Sequence, residues 1–208
     1  MTESSPLAQV SRPARAGRLT WFLILLLTVM GPVSACSSSN PTSGSAAIPT
    51  ELSSAIDQMQ SAESYSFVAT MTTAGASITV DGTFSAPNTV EQTIRVPGRA
   101  PVEMRLIGTE VSIRNPVSGT FTAATGTPPS TFDLRRAFGA LRAGQSVSTN
   151  GTTHTFTLDP ESTRALAGSD ATGSARVMAT TDAQGFSRLE YRVTIDGRPS
   201  TVGIDYHR

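Results

Sequence analysis

The chain has 208 residues, 38% of them hydrophobic and 6% aromatic, which fits one globular domain and is too apolar for a disordered chain. Its 16 basic residues, all of them arginine, equal its 16 acidic residues, so the sequence lacks the cationic surplus that nucleic-acid binding needs. One cysteine excludes an internal disulfide, and two histidines leave little for a zinc centre or a Ser-His-Asp triad. We therefore expect a non-enzymatic protein without a metal or cofactor.

The N-terminus has the three parts of an export signal. Arginines at positions 12, 15 and 18 precede the uncharged apolar run 19–30, and the small residues of the tetrapeptide 33–36 (VSAC) follow. The run has about 12 residues, whereas a membrane-spanning helix needs about 20. This pattern predicts a signal peptide over residues 1–35.

The tetrapeptide resembles the bacterial lipobox, in which the cysteine receives a diacylglyceryl group and becomes the first mature residue. The sequence therefore predicts lipidation of Cys36 and attachment to the outer face of the bacterial cytoplasmic membrane. Two or three acyl chains give a stable anchor. An incidental cysteine behind an ordinary signal, or an uncleaved anchor, is the alternative.

Residues 36–49 follow as an acylated cysteine and a flexible tether, because their Ser, Asn, Pro, Thr, Gly and Ala composition cannot bury a core. Residues 50–208 form the folded domain. Its first element is an amphipathic helix over residues 50–63, with Thr50 as N-cap and an apolar stripe of Leu52, Ile56 and Met59.

Two further helices are predicted inside the domain. One covers residues 131–143, capped by Ser130 or Thr131 and ended by Gly144. The other starts at Asp159 as N-cap with Pro160 in its first turn, and ends near Gly168.

Alternation of apolar and polar residues predicts ten strands around these helices. They cover residues 65–71, 78–84, 90–96, 102–106, 111–113, 146–149, 154–158, 175–181, 187–195 and 201–206. We expect an α+β fold: a curved antiparallel half-barrel of about nine to eleven strands, covered by two or three helices. An apolar ligand would lie between helices and sheet.

Several segments of the sequence resemble a known family. The lipobox, the Ser-rich tether, residues 55–67 (AIDQMQSAESYSF), 82–84 (GTF) and 101–108 (PVEMRLIG) are similar to actinobacterial lipoproteins of the LolA-like superfamily, including the LppX/LprG type. The resemblance implies a half-barrel with helices across its opening. It also implies carriage of a lipid or acylated molecule, or sensing on the same scaffold.

The candidate lining of such a cavity shares an apolar alternating or helical position, which equally describes a packed core. Its members are Phe67, Met71, Val80, Phe84, Ile94, Met104, Leu106, Phe138, Leu141, Met178, Leu189 and Tyr191. The first hypothesis is a membrane-anchored envelope lipoprotein that binds or carries a lipid, glycolipid or lipidated molecule. The alternative is a sensor or interaction lipoprotein with a filled core that acts through its surface.

The remaining polar residues are expected to have structural roles. His154 and His207 are predicted to be surface histidines without a function. Glu103 and Arg105 lie two apart on the solvated face of their strand, where cross-strand ion pairs explain them without chemistry.

Overall fold

The computed structural model describes residues 48–108, 110–124, 134–168 and 170–208. The predicted signal peptide, Cys36, nearly all of the tether and the start of the second helix lie outside these ranges. Within them, no helix combines the length and the hydrophobicity needed to span a membrane.

The described residues form eleven strands and three α-helices. The strands are β1 (Ser64–Thr73), β2 (Ala76–Ser85), β3 (Thr89–Arg95), β4 (Val102–Ile107), β5 (Glu110–Arg114), β6 (Phe121–Ala123), β7 (Gln145–Asn150), β8 (Thr153–Leu158), β9 (Ala171–Asp182), β10 (Gly185–Ile195) and β11 (Arg198–His207). The helices are α1 (Thr50–Ser61), α2 (Leu134–Gly139), which continues into a 3₁₀ turn (Ala140–Ala143), and α3 (Pro160–Ala167).

All eleven strands belong to one antiparallel sheet in the order β6-β5-β4-β3-β2-β1-β11-β10-β9-β8-β7. Neighbours in this order are consecutive along the chain except at the centre, where β1 pairs with β11. The two described ends of the order, β6 and β7, are not paired with each other, so the sheet is open. The predicted fold class, an open antiparallel sheet of nine to eleven strands covered by two or three helices, is confirmed.

One face of the sheet is buried because apolar residues recur at every second position of the long strands. β1 buries Tyr65, Phe67, Ala69 and Met71, while β10 buries Leu189, Tyr191, Val193 and Ile195. We call this the inner face and the opposite one the outer face.

The outer face carries ion pairs between neighbouring strands. Arg95 pairs with Asp81, Arg105 Nε lies 2.8 Å from Glu91 Oε1, and Arg114 Nη1 lies 2.7 Å from Glu103 Oε2. The predicted cross-strand role of Glu103 and Arg105 is confirmed. Such solvent-exposed pairs contribute little to stability, about 0 to 1 kcal/mol each.

Helix α1 follows the predicted apolar stripe, since Leu52, Ile56 and Met59 are buried. Its start differs from the prediction: Thr50 is the first helical residue, not the N-cap. The cap position belongs to Pro49, whose carbonyl accepts a hydrogen bond from Ser53 N at 3.0 Å. Proline has no side-chain oxygen, so this helix starts without side-chain capping.

In the described part of the predicted second helix, the α-helix ends at Gly139 and continues as the 3₁₀ turn. Gly144 ends this segment with φ −56° and ψ 127°, so it is not the left-handed C′ residue that was predicted. The structure gives another reason for glycine there. A Cβ on Gly144 would lie 2.8 Å from Cδ2 of Phe156, closer than such contacts normally occur.

Helix α3 begins as predicted. Asp159 Oδ1 accepts a hydrogen bond from Ser162 N at 2.8 Å, and Pro160 occupies the first turn, where its missing N–H has no cost. Gly168 ends the helix with φ 99°, a conformation that favours glycine.

We predict that Asp159→Ala lowers the free energy of unfolding by about 1 kcal/mol, because the N–H of Ser162 then lacks its acceptor. Urea denaturation followed by circular dichroism measures the change. Asp159→Asn retains an acceptor and should stay close to wild type. Equal stability of the alanine variant and wild type would contradict the capping role.

Candidate functional site

The inner face contains a continuous row of cross-strand neighbours that runs from β8 to β4. We call it the central row: His154, Ala179, Leu189, Ile204, Ala69, Val80, Ile94 and Val102. Adjacent strands lie about 4.8 Å apart, so its seven intervals span roughly 34 Å along the sheet. Apart from His154, every member is apolar.

A second row crosses the inner face one pair of residues nearer the α2 end. We call it the glutamine row: Tyr206, Phe67, Gly82, Gln92, Met104 and Ile113. A Cβ on Gly82 would lie 2.8 Å from Cε1 of Phe67, so the aromatic ring of Phe67 occupies the space above this glycine. Gln92 follows as the row's one amide side chain.

The described helices pack mainly on one half of the inner face. α1 lies on β9 and β10, and α3 lies on β8 and β9. The other half reaches solvent at its far end. Val102, the last residue of the central row, is 38% exposed, and Ile113 at the end of the glutamine row is partly exposed.

An aromatic cluster fixes α2 against the centre of the sheet. The ring of Phe138 lies 6.3 Å from Tyr65, 5.8 Å from Tyr206 and 6.0 Å from Phe186. Tyr65 also stacks on Phe84 at 4.9 Å. Such pairs contribute about 0.5 to 1.5 kcal/mol each beyond the area that they bury. The cluster therefore closes the α2 end of the inner face.

Polar contacts hold α2 and its 3₁₀ turn to α1. Gln60 Nε2 donates to the carbonyl of Arg135 at 3.1 Å, and Arg135 Nη2 donates to the carbonyl of Ala62 at 3.0 Å. Arg142 Nη2 donates to Asp57 Oδ1 at 2.5 Å. Helix α3 also contacts α2 and the 3₁₀ turn, so the described helices form one connected layer.

Eleven of the twelve predicted lining residues lie on the inner face or under the helices, and each is at most 8% exposed. These eleven are Phe67, Met71, Val80, Phe84, Ile94, Met104, Leu106, Phe138, Leu141, Leu189 and Tyr191. The structure thus brings them together in one core. Their role as the wall of a ligand cavity stays a prediction.

Met178 is the exception and corrects the prediction. It is 37% exposed and lies on the outer face, between the buried residues Val177 and Ala179. Successive side chains of a strand point to opposite faces, so Met178 cannot share a face with either neighbour. Its apolar character led to its prediction as a lining residue, but the alternation along β9 places its side chain on the outer face.

Sequence analysis missed Gln92, which is 5% exposed on the inner face. Neither Oε1 nor Nε2 of this amide has a hydrogen-bond partner in the part of the chain that the structure describes. A signal was present in the sequence: position 92 is in phase with Val90 and Ile94, the buried residues of β3.

His154 was predicted to lie on the surface, and this is wrong, because the side chain is only 1% exposed. Its phase in β8 matches that of Phe156 and Leu158, which point inward. Nδ1 lies 3.1 Å from Thr149 Oγ1, and Nε2 has no partner among the described residues. Burial lowers the pKa of His154, and the negative charge of Glu51 opposes this shift only in part. His207 is exposed, as predicted.

Two tyrosines of the inner face are also affected by burial. Desolvation raises the pKa of Tyr191, and it raises the pKa of Tyr206 well above its ordinary value, with further contributions from Tyr65 and Tyr191. Both phenols therefore stay neutral at physiological pH.

The outer face has a shallow furrow of about 400 Å³ across β1 to β4. Its lining includes the acidic residues Asp81, Glu91 and Glu103, together with Phe121 and His207. Four residues of the glutamine row also border it: Phe67, Gly82, Gln92 and Met104. All three carboxylates already pair with arginines. In the described ranges, no group of three or more His, Cys, Asp or Glu side chains could hold a metal ion.

Solved structures of similar arrangement include two mycobacterial proteins. The Mycobacterium tuberculosis lipoprotein LppX is 13% identical at a TM-score of 0.49, over 75% of this chain and 91% of LppX. LprF from Mycobacterium bovis is 11% identical at a TM-score of 0.45, over 74% and 89% of the two chains. A DUF1329 family protein from Desulfovibrio piger is 10% identical at a TM-score of 0.30, over 76% and 92%.

No protein-family model matches the sequence, and no curated protein matches it either. Membership of the LolA-like superfamily therefore stays a prediction from the sequence segments that resemble it.

We predict that His154 makes the protein less stable in acid. Below the ordinary histidine pKa of 6.5, His154 takes up a proton in the unfolded chain but not in the folded protein, because burial lowers the pKa of His154 in the folded protein. The free energy of unfolding should thus fall, by up to about 1.4 kcal/mol per pH unit, as pH drops from 6.5 toward the folded pKa.

Urea denaturation between pH 7.5 and 5 tests this for wild type and His154→Leu. The difference in unfolding free energy between the two proteins should shift in favour of the variant as pH falls. His207→Gln, at an exposed site, serves as the control and should follow wild type. A pH-independent difference would refute the prediction.

Proposed function

We propose that this protein is an envelope lipoprotein, anchored through acyl chains on Cys36, whose sheet domain binds a lipid or lipidated molecule along its inner face. The observation that carries the proposal is the central row. Its seven apolar members form a band on seven adjacent strands, from Ala179 on β9 to Val102 on β4, where the row reaches solvent.

The shape of the band suits a long, narrow, apolar ligand. Its residues near the sheet centre are small or medium in size, with Ala69 and Ala179 in the row and Gly82 beside it. An acyl chain laid across the strands would contact one residue of each strand in turn. Every contact would remove apolar surface from water, which stabilises binding by about 25 cal/mol per Å².

Access to the band is proposed at the β4–β5 end. The described helices pack mainly on β8 to β10, away from this end, and the exposed fraction of Val102 marks where the inner face meets solvent. A ligand entering there would advance along Ile94 and Val80 toward the aromatic cluster.

The mechanism is reversible sequestration without chemistry on the ligand. The domain would hold the apolar part of the ligand out of water, and the tether of residues 36–49 would let it move between partners near the membrane. The mature chain, from Cys36, carries 13 arginines and 15 acidic residues. Acyl chains, rather than net positive charge, would then provide membrane attachment.

A second function, as a sensor or interaction lipoprotein, is favoured by one observation. The eleven inner residues of the predicted lining are at most 8% exposed, as expected for a filled core. Such a protein would act through its outer face, where the furrow across β1 to β4 has a volume of about 400 Å³.

The first test is native mass spectrometry and organic extraction of residues 37–208 produced in a bacterium. We expect a co-purified lipid near one equivalent. Val102→Arg should reduce its occupancy about tenfold or more, because the guanidinium would have to lose water beside an apolar chain. Ile107→Arg is the matched control, since Ile107 lies on the outer face of the same strand and is 53% exposed.

Both arginine variants should keep the circular dichroism spectrum and melting temperature of wild type within a few degrees, since both sites are partly exposed. A clean apo mass for wild type, with no binding of added phospholipid or glycolipid, would favour the interaction function. Equal lipid occupancy in the two variants would contradict the proposed ligand entrance at Val102.

The anchor is tested by metabolic labelling with a palmitate analogue. We expect label in the wild-type protein and its loss in Cys36→Ala, together with release of the protein from the membrane fraction. Ser37→Ala is the control and should retain the label. Unchanged labelling of Cys36→Ala would refute the anchor.

A further inference from the structure

Gln92 is a polar side chain placed in the apolar inner face. It lies between Val90 and Ile94 along β3, and its cross-strand neighbours are Gly82 and Met104. The side chain is 5% exposed, and both of its amide atoms lack a partner among the described residues. An amide without partners destabilises a core, since it has lost its hydrogen bonds to water.

An apolar residue of similar size would serve the core better. Buried polar groups are normally hydrogen-bonded, so an unpaired one calls for a physical reason. Binding sites supply such a reason, because a polar group left unpaired in the free protein is available to a ligand.

We propose that the Gln92 amide binds a paired hydrogen-bond donor and acceptor on the lipid, within the apolar part of its binding site. This inference rests on the proposed lipid-binding function and narrows its ligand class. The lipid would carry an amide, a hydroxyl or a protonated carboxyl near its acyl carbonyl. A plain ester or a hydrocarbon would not match.

The chemistry of the amide decides between these groups. Oε1 is an acceptor and Nε2 is a donor, and they lie side by side on one planar group. A ligand with only a carbonyl can accept from Nε2 but leaves Oε1 unpaired. A ligand that also has an N–H or O–H beside its carbonyl can pair with both atoms.

The Gln92 amide atoms are buried in the free protein, so a ligand would reach them by displacing neighbouring side chains of the inner face. Gly82 has no side chain, and the ring of Phe67 extends over it from β1. On the other side, Met104 has an unbranched side chain that can adapt its shape to a ligand. The charged groups of β2 to β4, including Asp81, Glu91 and Glu103, belong to the outer face. The ligand group that binds Gln92 would thus be uncharged.

Three probes of one chain length test the proposal: hexadecanamide, hexadecanol and methyl hexadecanoate. Their binding to residues 37–208 is measured by competition with a fluorescent fatty-acyl probe. We expect wild type to bind hexadecanamide about tenfold more tightly than the methyl ester, with the alcohol between them, because the amide N–H adds one hydrogen bond to Oε1, which the ester leaves unpaired. Gln92→Leu should bind amide and ester within about twofold of each other.

Gln145→Leu is the matched control, because Gln145 is exposed on β7, and it should keep the preference. Gln92→Met provides a second apolar variant that keeps an unbranched chain. A structural readout accompanies binding: with no ligand, Gln92→Leu should raise Tm by about 2 to 4 °C, since the unpaired amide is removed.

The outcomes separate this inference from the proposed function. Wild type that binds amide and ester equally, or a preference that survives in both Gln92 variants, would overturn the role of Gln92 and leave lipid binding intact. Wild type that binds none of the three probes, nor the fluorescent one, would overturn both. Loss of preference in the Gln92 variants alone, with ester affinity kept, supports the inference.

Discussion

The pairing of the first strand with the last holds this domain together. Ser66 to Thr73 of β1 align with His207 to Ser200 of β11, and every other described strand pair joins neighbours in the chain. Without it the chain would be two separate meanders, β1 to β6 and β7 to β11. With it, the inner faces of both meanders become one surface. The central row, which crosses from β8 to β4, exists only because Ala69 and Ile204 are partners. This long-range contact is also the one whose loop-closure cost is greatest.

The two halves of the inner face differ in their helix coverage and in their polar groups. The apolar residues of β8 to β10 that the helices cover are at most 8% exposed and form core. In the β2 to β4 half, the ring of Phe67 fills the space above Gly82, Met104 has a flexible side chain, and the Gln92 amide has no partner among the described residues. A purely structural core would normally pair such a buried amide. His154 is buried in the first half, and its Nε2 has no partner among the described residues.

Alternation in the sequence predicted the sheet well, because one buried face imposes a period of two on every long strand. Ten of the strands were located within a few residues in this way. β6 was missed because it has three residues, too few for a period, and its Phe121 packs against Arg105 on the outer face instead. The site was harder to predict. The alternation identifies inward-facing positions, yet it cannot distinguish the wall of a ligand cavity from a packed core. Selection by hydrophobicity also placed Met178 among the lining residues. For the same reason it left out the polar residues Gln92 and His154.

The central place of β1 also governs how the domain would respond to mechanical load. Helix α1 leads directly into β1, which is hydrogen-bonded along both edges, to β2 and to β11. Tension applied at residue 50 would act along this strand and load two ladders in shear at once, rather than peeling an edge strand one bond at a time. At the other end of the chain, Arg208 donates to the carbonyl of Gln58 at 2.7 Å and so clamps α1 against the end of β11. Under the proposed anchoring at Cys36, tension would therefore enter the domain through a strand that is hydrogen-bonded along both edges.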